Sequence, residues 1–102
     1  MLRNKLLCLE HPNPEVNVND EKCFRNLVVW LEDQKIRIYK IEERVELRKI
    51  NSADWPKTFD KYTTDLNCPK KELQTPLDQL RWVISYAIKL EYLDNGKEII
   101  MI

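Results

Sequence analysis

A chain of 102 residues supports one domain with a working apolar core and has no need of disulfides or metals to fold. Its 17 basic and 17 acidic residues balance, so no net field draws it onto nucleic acid or an anionic membrane, and any such binding has to come from a local patch. The single glycine, Gly96, excludes glycine-rich phosphate loops and disfavours a turn-dense β sandwich, leaving a composition that favours helices.

No apolar run approaches the roughly 18 residues of a membrane span, and the opening MLRNKLLCLE is too short and too charged to resemble a secretory signal. The expectation is a soluble intracellular protein. Leu2, Leu6, Leu7 and Leu9 suggest a first helix, stopped at His11-Pro-Asn-Pro14, where each proline biases its predecessor away from helical geometry. Within this stretch Cys8-x-x-His11 is the one pattern with zinc-ligand character, and Cys23 and Cys68 would have to complete the set. No second close pair supports it, so the three widely spaced cysteines read as buried thiols in a reducing compartment, and no metal or cofactor is expected.

Asn19 or Asp20 can cap the next helix, in which Phe24, Leu27, Val28 and Leu31 fall on one face and Val29 and Trp30 widen the apolar arc. From Lys35 to Ile41 the character alternates. With no second strand to pair with, the stretch reads as an extended connector whose isoleucines tuck inward. A short helix over about 42–49 follows, with Val45 and Leu47 as candidate anchors. Ser52 or Asp54 can cap a further helix in which Pro56 is tolerable only in the first turn; Phe59, Tyr62 and Leu66 repeat at helical spacing, and Asn67-Cys-Pro69 ends it.

Thr75-Pro-Leu-Asp78 combines an N-cap, a proline at the first helical position and an acidic residue placed as in a capping box. Leu77, Leu80, Ile84, Ala87 and Ile88 form one face of the helix that follows; Val83, Tyr86, Leu90 and Leu93 form another. Asp78, Arg81, Ser85 and Lys89 leave a narrow polar stripe. Such a helix belongs in the middle of a bundle, with Asp94-Asn-Gly96 as its stop. The expected organisation is a helical domain over 1–96 and an apolar tail over 97–102, either docked or the start of a following region.

The runs Val29-Trp-Leu-Glu-Asp-Gln-Lys-Ile-Arg37, Tyr39-Lys-Ile-Glu42, Ser52-Ala-Asp-Trp-Pro-Lys57, Asn67-Cys-Pro69 and Lys89-Leu-Glu-Tyr92 closely resemble the amino-terminal region of the RNA transcription, translation and transport factor (CLE) family. They occur in the same order over nearly the whole chain. The resemblance implies an all-α, calponin-homology-like domain around a central apolar helix. It further implies a non-enzymatic subunit of the tRNA-splicing ligase complex, alongside a DEAD-box helicase, with links to RNA polymerase II transcription and RNA transport in nucleus and cytoplasm. The family's longer members continue into a helical carboxy-terminal region.

Three functions compete on the residues themselves. In the first, the domain is a protein-interaction module; Trp30 and Trp82 are expected in the core, while Trp55 and Tyr39, near element boundaries, are candidates for a contact surface. In the second it binds RNA directly. Lys35, Arg37, Lys40, Arg44, Arg48 and Lys49 stand against Glu42, Glu43 and Glu46, a surplus of three, with Tyr39 available to stack a base and Lys57, Lys61, Lys70 and Lys71 as possible extensions. The bland alternative is a solvated face with local ion pairs. The third, a microtubule-binding domain, rests on fold analogy alone. An enzyme is the least supported class: one histidine, scattered carboxylates and no nucleophile beside a base give catalysis nothing to work with. No small-molecule substrate and no membrane are expected. The first reading is the one the sequence favours.

Overall fold

Residues 2–13 and 15–94 are described by the computed structural model, and among them there are five α-helices and no strand. Helix α1 spans Leu2–Cys8, α2 Glu21–Leu31, α3 Val45–Arg48, α4 Trp55–Asp65 and α5 Pro76–Asp94. A π turn, Glu32–Ile36, extends α2, and a 3-10 turn, Ile41–Arg44, leads into α3.

The helix starts follow from local chemistry. Asp20 caps α2, its Oδ1 accepting from the Cys23 backbone N–H at 2.9 Å. Thr75 Oγ1 accepts from the Asp78 N–H at 3.1 Å at the head of α5, with Pro76 in the first turn, where a missing N–H costs nothing. Pro56 sits in the same permitted place in α4. The preceding turn is held by Ser52, whose Oγ accepts from the Asp54 N–H at 3.1 Å. Asn67 ends α4 in the left-handed region at φ 66°.

The core joins Leu6 and Leu9, Leu27, Val28 and Leu31 of α2, Leu47 of α3, Phe59 and Tyr62 of α4, Leu66, and Leu80, Val83, Ile84 and Ala87 of α5. Helix α5 packs against α1, α2 and the π turn, and α3 bridges α2 and α4. Its predicted polar stripe is outside: Arg81, Ser85 and Lys89 are exposed, and Lys5 Nζ donates to Ser85 Oγ at 2.9 Å across to α1. The expected stop at Gly96 and the tail over 97–102 lie outside the described residues.

Several expectations need correction. Trp30 and Trp82 are half-buried flanks of the core and not its centre. Leu7 is exposed, because Leu6 and Leu9 already occupy the inward side of α1. The connector does not begin extended: the chain continues through the π turn to Ile36, and only Ile36 of the three isoleucines is buried. Ile38 and Ile41 are 44 and 66 % exposed. Val45 is 49 % exposed, so Leu47 alone anchors α3. Arg44, three residues before Leu47, takes the inward position that Val45 was expected to share.

Candidate functional site

The segment from Glu32 to Lys49 is organised around a buried carboxylate. Glu32 ends the apolar run of α2 and is 1 % exposed. Each of its oxygens accepts two hydrogen bonds. Oε1 takes the Ile38 N–H at 3.2 Å and the Tyr62 hydroxyl at 2.9 Å. Oε2 takes the Tyr39 N–H at 2.9 Å and Arg44 Nε at 3.0 Å. A carboxylate offers about four lone-pair sites, so this one is saturated. That saturation is what makes burying it tolerable.

Arg44 is the counter-charge. It is buried, and besides Glu32 its guanidinium donates to the Tyr39 carbonyl through Nη2 at 2.8 Å and reaches Asp33 Oδ1 at 3.3 Å. Asp33 also receives Arg48 Nη2 at 2.8 Å. The backbone cooperates: the Arg37 N–H donates to the Glu32 carbonyl at 2.8 Å, closing the π turn, and Arg37 itself is left-handed at φ 53° and ψ 41°. A widened π turn followed by a left-handed residue reverses the chain, so that the N–H groups of Ile38 and Tyr39 point back at the carboxylate six and seven positions behind them.

Tyr39 is half-buried, its ring edge-on to Tyr62 at 5.5 Å between centroids. Its hydroxyl donates to Asp65, while Lys61 Nζ lies 5.1 Å from the ring centroid and 2.9 Å from Asp65 Oδ2. The Tyr39 hydroxyl and Lys61 together hold the Asp65 carboxyl below the usual range; burial and Asp65 push the Tyr39 phenol well above its own. Burial first and Glu32 second do the same to Tyr62.

The eight residues read from the sequence as contact candidates therefore divide. Arg37 and Lys40 are exposed, and no ion pair engages either side chain among the described residues. Tyr39 is half available. Arg48 is exposed but paired to Asp33, and Lys49 is exposed and paired to Glu46 at 3.0 Å. Lys35 is largely covered, with Nζ 3.2 Å from Glu91 Oε2 and 5.9 Å from the centroid of the Trp30 ring. Two candidates are corrected outright as surface groups. Arg44 is buried in the ion pair with Glu32. Trp55 is 3 % exposed, stacked on Phe59 at 5.5 Å, under the Arg25 guanidinium, with its indole N–H donated to the Leu47 carbonyl at 2.8 Å.

The sequence reading missed Glu32 and the pairing of Asp33. The available signal was the spacing of Arg44 and Leu47, three apart and so on one helical side, which sends a guanidinium toward the core and demands a buried acid. Elsewhere, a groove of about 560 Å³ runs past Phe24, Trp55, Phe59, Pro76 and Leu77. Its rim carboxylates Glu21 and Asp60 are already engaged by Arg25 and Lys70. Near α1, His11 stands edge-on to Trp30 at 4.5 Å, and its Nδ1 accepts from the Asn13 N–H, so that nitrogen is occupied. Burial lowers the imidazole pKa. No group of three or more His, Cys, Asp or Glu side chains among the described residues could hold a metal ion, and no described helix is long and apolar enough to cross a membrane.

These features define a small all-helical domain in which a buried glutamate–arginine pair fixes a surface loop. The chain belongs to the RNA transcription, translation and transport factor protein family, whose model matches residues 2–101. It is 52 % identical over 99 residues to the mouse and the human proteins called RNA transcription, translation and transport factor protein, a match covering 96 % of this chain and 40 % of each relative. The zebrafish protein of that name is 51 % identical over 96 residues, or 93 % of this chain and 39 % of the relative. The chain thus spans about 40 % of the length of the curated relatives it matches.

Proposed function

We propose that this domain is a non-catalytic protein-interaction module of an RNA-processing assembly, and that its family role in RNA transcription, translation and transport is exercised through protein partners. On this reading the partners are subunits of a tRNA-splicing ligase complex, a DEAD-box helicase among them, with RNA polymerase II as a further one. The reading includes residence in both nucleus and cytoplasm and a calponin-homology-like arrangement of the helices.

One observation carries the choice of protein over RNA. The surplus of three positive charges between Lys35 and Ile50 is matched by three carboxylates outside that window: Glu32 on Arg44, Asp33 on Arg48, and Glu91 on Lys35. A cation already paired within the fold releases little counterion free energy on meeting a phosphate, and counterion release supplies most of non-specific nucleic-acid affinity. Only Arg37 and Lys40 remain unengaged in the segment among the described residues, beside exposed Glu42 and Glu43. The surface is left mixed in charge and apolar at Ile38, Ile41 and Val45, which suits a protein better than a polyanion.

The experiment is a comparative pull-down from one nuclease-treated lysate, using this chain and a full-length relative as baits and scoring ligase, helicase and RNA separately. Recovery of ligase-complex proteins by this chain after RNA removal supports the reading. Recovery that vanishes with the RNA, or that belongs to the full-length bait alone, overturns it for this domain.

A further inference from the structure

The fold sorts the chain's six serines and threonines by what surrounds their hydroxyls. Thr58, Thr63 and Thr64 lie inside α4 and Ser85 inside α5. Thr63 is fully buried and donates to the Phe59 and Asp60 carbonyls. Thr64 donates to the Asp60 carbonyl and takes Lys70 Nζ, and Ser85 takes Lys5 Nζ. Ser52 is half-buried in the turn that leads into α4. Thr75 alone is both exposed and outside a helix.

Pro76, which follows it, is exposed as well, and of the five prolines in the chain it is the one preceded by a hydroxyl residue. Two constraints keep Thr75 extended: a residue before proline is pushed out of the helical region, and an N-cap residue takes β-region dihedrals. Its Oγ1 accepts from the Asp78 N–H at 3.1 Å, and among the described residues no other hydrogen bond engages it. A hydroxyl has two lone pairs and a proton, so one lone pair and the proton remain uncommitted. Extended backbone, an accessible oxygen and a following residue with no N–H for an enzyme cleft to satisfy are what a phosphoryl acceptor requires when the enzyme reads proline next to it.

We propose that Thr75 is a phosphorylation site for a proline-directed protein kinase. Thr75 Oγ1 attacks the γ-phosphorus of ATP; the new O–P bond forms as the bond from that phosphorus to the β–γ bridging oxygen breaks, ADP leaves, and the hydroxyl proton passes to the kinase's catalytic carboxylate. The product adds a charge of about −1.5 to −2 at pH 7 to a chain whose basic and acidic residues balance. The fold accommodates it. The ester oxygen can keep the Asp78 N–H, and the added oxygens face the positive end of α5 while the Asp78 carboxylate in the same turn opposes them. Thr75 and Pro76 border the groove beside Phe24 and Phe59, which Glu21 and Asp60 also line, so the modification makes the mouth of that groove more anionic. The inference is independent of the partner assigned above, because it is read on the purified chain and a kinase alone.

The test incubates the purified 102-residue chain with ATP, Mg²⁺ and a cyclin-dependent kinase carrying its cyclin, and follows intact mass and fragmentation of the peptide that contains Thr75. One phosphoryl group per chain, on Thr75, is expected. Thr75→Asn keeps a good N-cap but has no acceptor, and should hold the wild-type circular dichroism while taking up none. Pro76→Ala keeps hydroxyl and cap, and should be modified at least about tenfold more slowly. The phosphorylated chain should melt within about 5 °C of the unmodified one, since the helix end and Asp78 act in opposite directions. Absence of transfer overturns the proposal, as does transfer that persists in Thr75→Asn or that proceeds at the wild-type rate in Pro76→Ala. A phosphorylated chain that has lost its helical circular dichroism overturns it too.

Discussion

Replacing Arg44 by alanine would separate a structural arginine from a surface one. The substitution leaves Glu32 at 1 % exposure without its counter-charge, frees the Tyr39 carbonyl of its guanidinium contacts and leaves Asp33 with Arg48 alone. Breaking a buried pair by removing one partner costs about 3–5 kcal/mol. Glu32 keeps three other donors, the N–H groups of Ile38 and Tyr39 and the Tyr62 hydroxyl, so the low end of that range, about 3 kcal/mol, applies here. For a domain of this size that corresponds to a fall in Tm of roughly 10–20 °C. The same loss would appear in urea as a shifted midpoint at constant m-value. Arg44→Lys keeps the charge but not the planar fork, and should recover part of the loss. A drop below about 1 kcal/mol would refute the reasoning, because exposed ion pairs are the ones worth that little.

Arg37→Glu, by contrast, alters an exposed side chain engaged only through its backbone, and should change stability by less than about 0.5 kcal/mol in the same urea titration. Tyr62→Phe removes a buried donor from Glu32 and should cost about 1–3 kcal/mol, with the m-value unchanged. Leu31→Asp buries an unpaired charge at a fully enclosed position, and circular dichroism should report an unfolded chain. The carboxyls of Asp20 and Asp65 are held below the usual range, so the stability they lend is whole above the ordinary carboxylate pKa of about 4 and lost as pH falls through their folded values. Thermal melts should therefore show a smaller difference between wild type and Asp65→Asn at pH 2 than at pH 6.

Much of the helical framework was legible because it rests on local signals. Phe59, Tyr62 and Leu66, the Thr75 cap and the face of Leu80, Ile84 and Ala87 all follow from periodicity and capping that act within a few residues. The region from Glu32 to Arg44 was not legible, for a physical reason. Its geometry is set by one carboxylate gathering donors from positions 38, 39, 44 and 62, and no window along the chain contains that arrangement. Trp55 misled in the same way. Its place beside an element boundary suggested exposure, whereas the Leu47 carbonyl and the Phe59 ring draw it inward. Of the contact candidates, Arg37 and Lys40 are exposed, and among the described residues no ion pair engages their side chains. Arg44 looked equivalent to them only because a positive charge in a sequence does not say which acid it will meet.

The most direct measurement is a fluorescence-anisotropy titration of a labelled single-stranded RNA with this chain at low salt, repeated with the Arg37→Glu, Lys40→Glu double variant. Arg44 is left alone, since reversing it would unfold the domain. The predicted result is no saturation below about 100 μM and no difference between the proteins, as expected when basic side chains are neutralised within the fold. Micromolar binding that falls steeply with added salt and disappears in the double variant would contradict the account.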